Sequence, residues 1–86
     1  MNNWQVYLLK CSDRSLYCGV TNNLENRVSK HNAGTASKYT RSRLPVDVVA
    51  VRKDLTKKEA FKLEYQIKKL SAEKKILALE NRNFKE

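Results

Sequence analysis

Five side chains with complementary chemistry follow one another along this chain of 86 residues. They are Tyr7, Tyr17, Arg27, His31 and Glu64. A phenol or an imidazole can take part in activating water, and a guanidinium can neutralise a phosphate. A carboxylate can hold a divalent metal ion. Together, these groups are what an enzyme that hydrolyses phosphodiester bonds would use.

Glu64 has the most informative position of the five. It lies beside an apolar helical stripe formed by Ala60, Leu63, Ile67 and Leu70, at about 3.6 residues per turn. A carboxylate there is costly to desolvate unless a cation pairs with it. That cation could be a basic side chain in a salt bridge, but the combination with the other four residues favours a metal ion. A single carboxylate that shares the ion with waters and a substrate phosphate suits Mg²⁺ or Mn²⁺.

The two tyrosines belong to segments that predict a β-hairpin. Polar and apolar residues alternate from Trp4 to Cys11, the turn-forming cluster 12–15 follows, and β-type residues resume from Leu16 to Val20. Apolar neighbours at odd offsets place Tyr7 and Tyr17 together on the polar face of this hairpin. Each could also be an ordinary half-buried strand aromatic.

Arg27 and His31 are predicted to lie on the following helix. Asn22 or Asn23 can cap this helix, which runs to about His31 or Asn32. A spacing of four residues places the guanidinium and the imidazole on one face, one turn apart. The structural alternatives are an ion pair for the guanidinium and an interaction of the imidazole with the helix dipole.

The segment 35–44 is predicted to be an exposed loop that contacts nucleic acid. It has few apolar residues and many hydroxyl groups and cations. Cations and hydroxyl groups suit phosphate contacts, and an aromatic ring suits stacking on an unpaired base. An ordinary polar loop is the alternative. The candidate nucleic-acid-binding residues are Lys38, Tyr39, Thr40, Arg41 and Arg43.

The second half of the chain predicts one strand and two helices. Pro45 closes the loop, and residues 46–51 are predicted to form the third strand. Residues 56–59 form a capping box, which starts a helix that continues to about Leu70. A shorter helix is predicted over residues 72–79. The order β-β-α-β-α-α predicts an α+β fold with a small three-stranded sheet flanked by helices.

Length and charge narrow the class of protein. We expect a single domain over residues 1–80 and a frayed tail over residues 81–86. Eighteen Lys and Arg against nine Asp and Glu give a formal charge of +9. This surplus suits nucleic acid first and an anionic membrane surface second, while a solubilising surface is the alternative. No segment approaches the roughly 18 apolar residues of a membrane span, and no signal peptide is recognisable.

The absence of a recognisable signal peptide or membrane span also predicts the localisation and the state of the cysteines. We expect a cytoplasmic protein without a membrane partner, in which the thiols of Cys11 and Cys18 are reduced and partly buried. The two residues could also bridge across the hairpin. The sequence leaves the oligomeric state open.

Two tripeptides in this arrangement resemble the signature of the GIY-YIG endonuclease superfamily, as in its small stand-alone, single-domain members. Gln5-Val6-Tyr7 stands for the first tripeptide, with glutamine in place of glycine, and Tyr17-Cys18-Gly19 stands for the second. A helix with Arg and a later helix with Glu complete the resemblance, which covers residues 6 to about 70. It implies a three-stranded antiparallel sheet flanked by helices.

The resemblance also implies roles for four of the five candidate residues. Tyr17 would contact the attacking water, and Tyr7 would help position the scissile phosphate. His31 would assist proton transfer, and Glu64 would bind the metal ion. One departure is Val20, which replaces a lysine that often follows the second tripeptide and so removes one phosphate contact.

The leading hypothesis is a metal-dependent endonuclease that acts on DNA, with selectivity for nucleic-acid shape or with specificity supplied by a protein partner. A role in DNA repair is an expectation taken from the resemblance. Two other classes remain open. The first is a catalytically weak or inactive nucleic-acid-binding module with the same fold, and the second is a protein-interaction adaptor.

Overall fold

The computed structural model describes residues 2–80 of the chain. Its elements are β1 (Trp4–Lys10), β2 (Leu16–Thr21), α1 (Leu24–Asn32), α2 (Lys38–Arg41), β3 (Asp47–Leu55), α3 (Lys57–Ile67) and α4 (Ala72–Glu80). The α+β class and the predicted element order are confirmed, with the short helix α2 as an addition. The predicted tail, residues 81–86, lies outside the described residues. Among the described residues, no helix is long and apolar enough to cross a membrane.

The sheet is antiparallel, with β1 in the centre and the strand order β2-β1-β3. Tyr7 pairs with Gly19, and Leu9 pairs with Tyr17. Because paired residues point to the same side, these positions share one face of the sheet. We call it the α1 face, since Leu24 and Val28 of α1 pack against it. The opposite side is the α3 face.

Both faces of the sheet are covered. On the α3 face, side chains of α3 and α4 complete the larger core, which contains Val6, Leu8, Cys18, Ala50, Ala60, Leu63, Ile67, Ala78 and Leu79. On the α1 face, Tyr7 and Leu9 are 1% and 0% exposed. The prediction of a polar face around Tyr7 is therefore wrong. Strand parity identified which residues share a face, but it does not show whether a helix covers that face.

Local capping signals set the starts of two helices. The side chain of Asn23 accepts a hydrogen bond from the backbone N–H of Asn26 and caps α1. Thr56 and Glu59 form the reciprocal capping box of α3. The C-terminal ends of two elements differ from the prediction. β3 continues to Leu55 instead of ending at residue 51, and α3 ends at Ile67 instead of at about Leu70. Pairing with β1 sustains the polar end of β3, although its pattern is not strand-like.

The two cysteines lie in different cores. Both thiols are free and buried, Cys18 in the cluster on the α3 face and Cys11 in the cluster on the α1 face. Cys18 faces Leu8 across the hairpin. This arrangement does not support the bridge that the sequence left open.

Candidate active site

A chain of hydrogen bonds joins Tyr7, His31 and Thr40 on the α1 face. The Tyr7 hydroxyl oxygen lies 3.0 Å from His31 Nε2, and His31 Nδ1 lies 2.8 Å from Thr40 Oγ1. The Thr40 hydroxyl also donates to the carbonyl oxygen of Ser37 at 3.4 Å. Thr40 Oγ1 therefore accepts a hydrogen bond from His31 Nδ1–H, and this pattern assigns His31 Nε2 as the acceptor for the Tyr7 hydroxyl.

Burial changes the predicted roles of two of these residues. Thr40 is 0% exposed, so its side chain positions the imidazole instead of contacting nucleic acid, and the predicted direct contact is corrected. Tyr7 is 1% exposed and holds His31 from the other side, which leaves little of it to touch a scissile phosphate. Segment 35–44 includes the helix α2 with Ser37 as its cap, so it is not the wholly exposed loop predicted.

Tyr17 lies at the outer end of this buried group. Its half-buried ring meets His31 edge-on at 5.2 Å between centroids and lies 5.9 Å from the ring of Tyr39. The guanidinium of Arg43 lies 4.0 Å above the Tyr39 ring and forms a 2.9 Å ion pair with Asp13. Two residues predicted to bind nucleic acid, Tyr39 and Arg43, thus also support Tyr17 from the outside.

Arg27 supplies positive charge near the buried Tyr7–His31 pair. Its side chain is half-buried on α1, and within residues 2–80 it has no hydrogen bond or ion pair. Burial lowers the pKa of His31, and the nearby charge of Arg27 lowers it further. Burial raises the pKa of Tyr7 well above its ordinary value, with Tyr17 and Glu64 adding to the increase and Arg27 opposing it. The guanidinium is therefore close enough to act on both buried groups.

Glu64 approaches from α3 and is paired with an exposed cation. Its Oε2 lies 3.1 Å from Lys68 Nζ, and the side chains are 20% and 53% exposed, respectively. The salt bridge considered for this residue is thus present, but i,i+4 pairs on a helix contribute only about 0.3–0.5 kcal/mol, and the Lys68 end of this one is exposed. Glu64 also acts on Cys18, whose pKa is raised to about 12, mainly by burial and next by this carboxylate.

The donor set at this site suits one kind of metal ion. Within residues 2–80, no group of three or more His, Cys, Asp or Glu side chains could hold a metal. A structural zinc site, which needs about four such ligands, does not fit. Glu64 as a single, mostly buried carboxylate with a displaceable partner fits Mg²⁺ or Mn²⁺, because Mg²⁺ keeps several waters and uses substrate phosphates as ligands.

Sequence reasoning missed three structural partners of the site. Lys68 could have been found, because it lies four residues after Glu64 on the same helix. Asp13 and Ser37 have no comparable local signal. Asp13 lies 30 residues before Arg43, and Ser37 acts through Thr40 on a helix of only four residues.

Acidification is expected to destabilise the protein through His31. Its lowered pKa means that the unfolded chain binds the proton more tightly, so this stabilising contribution is full above about pH 6.5 and declines at lower pH. The limiting slope for one proton is about 1.4 kcal/mol per pH unit. Urea unfolding between about pH 5.5 and 7.5 measures it. His31 is the only histidine of the chain, so a His31→Gln variant should lose the slope. An unchanged slope in that variant would contradict the assignment.

Comparison with known proteins identifies the family of the chain. A model of the GIY-YIG catalytic domain matches residues 3–77. The UPF0213 protein YazA of Bacillus subtilis is 46% identical over 86 residues, which cover 99% of this chain and 87% of YazA. A UPF0213 protein of Clostridium perfringens is 48% identical over 81 residues, which cover 94% of this chain and 87% of that protein.

Two solution NMR structures have the same fold. The UPF0213 protein BH0048 of Bacillus halodurans is 40% identical and superposes with a TM-score of 0.56, covering 98% of this chain and 90% of its own. The protein EF2693 of E. faecalis is 36% identical with a TM-score of 0.63, covering 100% of this chain and 95% of its own. The chain described above therefore belongs to the GIY-YIG family of nuclease domains.

Proposed function

We propose that this protein is a metal-dependent endonuclease that hydrolyses phosphodiester bonds in DNA. The observation that carries the proposal is the buried, hydrogen-bonded Tyr7–His31 pair with the ring of Tyr17 packed against it. Tyr17 touches the imidazole, and the charges of Arg27 and Glu64 both act on the Tyr7 hydroxyl. Membership in a nuclease family supports the same conclusion.

Each residue would contribute a separate task. Tyr17, the more accessible phenol, would orient the attacking water. Arg27, which has no partner among residues 2–80, would stabilise the negative charge that builds up on the phosphate. Nε2 of the neutral His31 accepts the hydrogen bond of the Tyr7 hydroxyl, so proton transfer assisted by His31 would pass along this bond. Glu64 would hold the divalent ion, which when bound supplies Lewis-acid stabilisation of phosphoryl oxygens.

The cations around α2 would hold the nucleic-acid backbone. Lys38 and Arg41 are exposed on this helix, and Arg43 follows it. Contacts of this kind go to phosphates and carry no direct sequence information. We therefore propose selectivity for the shape of the DNA, with sequence specificity, if any, supplied by a protein partner.

The second candidate function is a nucleic-acid-binding module without catalysis. The salt bridge between Glu64 and Lys68 favours it, because it already neutralises the proposed metal ligand. Such a module would bind DNA with strong salt dependence, log K falling by about 0.9 per neutralised phosphate, and would give no product.

Cleavage of a labelled panel of single-stranded, duplex, flapped and branched DNA tests the proposal. We expect products with Mg²⁺ or Mn²⁺ and none with EDTA. Arg27→Ala should lower the cleavage rate about a hundredfold or more, because it removes one preorganised donor to the transition-state charge. Lys30→Ala removes an exposed cation from the same helix and should cleave like the wild type. Binding without any metal-dependent product would support the binding module instead.

A further inference from the structure

The solvent side of α3 carries aromatic rings between two lysines. Phe61 and Tyr65 are 47% and 63% exposed, and their spacing of four residues places them on one side of the helix, about 6 Å apart along its axis. Lys57 and Lys69 continue the same spacing at either end, and Trp4 lies beside Phe61. We call these five residues the α3 ridge.

The members of the α3 ridge contact one another. The ring centroids of Trp4 and Phe61 are 5.8 Å apart, and Lys57 Nζ lies 5.6 Å from the Trp4 ring. Lys69 Nζ lies 4.1 Å from the centroid of the Tyr65 ring. The ammonium groups are thus held beside aromatic faces, as in cation–π pairs.

Trp4 packs against the larger core, but packing of the core does not explain the rings of Phe61 and Tyr65. The opposite side of α3 supplies Ala60, Leu63 and Ile67 to the larger core, and all three are buried. Phe61 and Tyr65 therefore leave roughly half or more of their surface in water. A cluster of exposed aromatic side chains marks an interaction surface more often than isolated ones do.

We propose that the α3 ridge binds an unpaired nucleic-acid strand. Bases would stack on Phe61 and Tyr65, and phosphates would pair with Lys57 and Lys69. The inference rests on the proposed nuclease function, because the ridge lies on the helix that carries Glu64. Tyr65 directly follows Glu64 in the chain, so the α3 ridge includes the immediate neighbour of the proposed metal ligand.

Charge and ring chemistry select this occupant over others. A second copy of the chain would bring the same lysines and a formal charge of +9, so the two surfaces would repel each other. Duplex DNA hides the faces of its bases, whereas an unpaired strand offers both π-faces and phosphates.

Binding in EDTA separates this site from catalysis. We would measure the fluorescence anisotropy of labelled oligothymidylate of about 20 nucleotides, longer than common single-strand site sizes of about 4–16 nucleotides, and of about 6 nucleotides, near the lower end of that range. Phe61→Ala combined with Tyr65→Ala should weaken binding of the long strand about a hundredfold, since each of the two stacked bases contributes roughly a factor of ten. Leu77→Ala, which removes a 68% exposed side chain from α4, should change it less than about twofold.

Trp4 provides a second readout because it is the only tryptophan. Its fluorescence should change when the long strand binds to the wild type. Lys57→Glu with Lys69→Glu should reduce the salt slope of log K by about 0.7 for each lost phosphate contact. A double aromatic variant that binds the strand as tightly as the wild type would overturn the proposal. The proposal would also be overturned if the double aromatic variant lost binding to phosphatidylserine vesicles or to an acidic protein but still bound the long strand like the wild type.

The outcomes also distinguish the α3 ridge from the nuclease activity. If the wild type binds the long strand through the α3 ridge but cleaves no DNA, the proposed nuclease activity is contradicted and the proposed binding role of the ridge is supported. If the wild type cleaves DNA, and the double aromatic variant cleaves DNA and binds long strands equally well, the proposed nuclease activity is supported. The proposed binding role of the α3 ridge is then rejected.

Discussion

Replacement of Glu64 by glutamine is expected to reduce metal-dependent cleavage about a thousandfold or more while DNA binding in EDTA stays within a few-fold of the wild type. The amide keeps the shape of the side chain but loses the charge that would hold the metal ion. Lewis-acid stabilisation supplies several kcal/mol in the transition state, and each 1.36 kcal/mol corresponds to a factor of ten in rate. Single-turnover cleavage of the best substrate of the DNA panel measures the change.

Glu73→Gln is the matched control for this experiment. Glu73 is exposed in the first turn of α4, so the same substitution there should leave cleavage unchanged. Because the Glu64–Lys68 salt bridge is weak, Glu64→Gln should also unfold at nearly the wild-type urea concentration. Full cleavage activity in Glu64→Gln would show that the metal assignment is wrong.

Gly19→Ala is expected to destabilise the protein by about 2–5 kcal/mol and to disrupt the candidate site. A Cβ atom at Gly19 would overlap the Tyr7 ring, with the hydroxyl oxygen and the Cζ atom both closer than any van der Waals contact allows. Tyr7 is buried, so its ring cannot move aside without losing packing and the hydrogen bond to His31. Urea unfolding measures the loss, and the lowered His31 pKa should move back towards its ordinary value.

Gly34→Ala separates this effect from the general cost of replacing a glycine. Gly34 has a φ of +80°, so alanine there is strained by the backbone, but a Cβ atom would meet no atom closer than 3.5 Å. We expect a cost of about 1–2 kcal/mol and an unchanged His31 titration. The steric interpretation would be contradicted if both variants lost the same free energy of unfolding and His31 titrated in Gly19→Ala as it does in the wild type.

The sequence by itself determined the elements and the order of the candidate residues. The capping box at Thr56 and the cap at Asn23 depend only on neighbours within one helical turn. Alternation along the strands likewise placed Tyr7 and Tyr17 on one face. These signals are local, so the chain shows them before any tertiary contact is known.

The tertiary structure alone decided which of those residues are buried and what they touch. Tyr7 reaches His31 across 24 positions, and His31 in turn reaches Thr40. A threonine among hydroxyl groups and cations looks solvent-exposed until the packing of α2 on α1 buries it. The ion pair of Arg43 with Asp13 spans 30 positions and joins the segment after α2 to the turn between β1 and β2. Periodicity reports the environment within a turn or a strand, whereas the partner of a polar side chain depends on how separate elements meet.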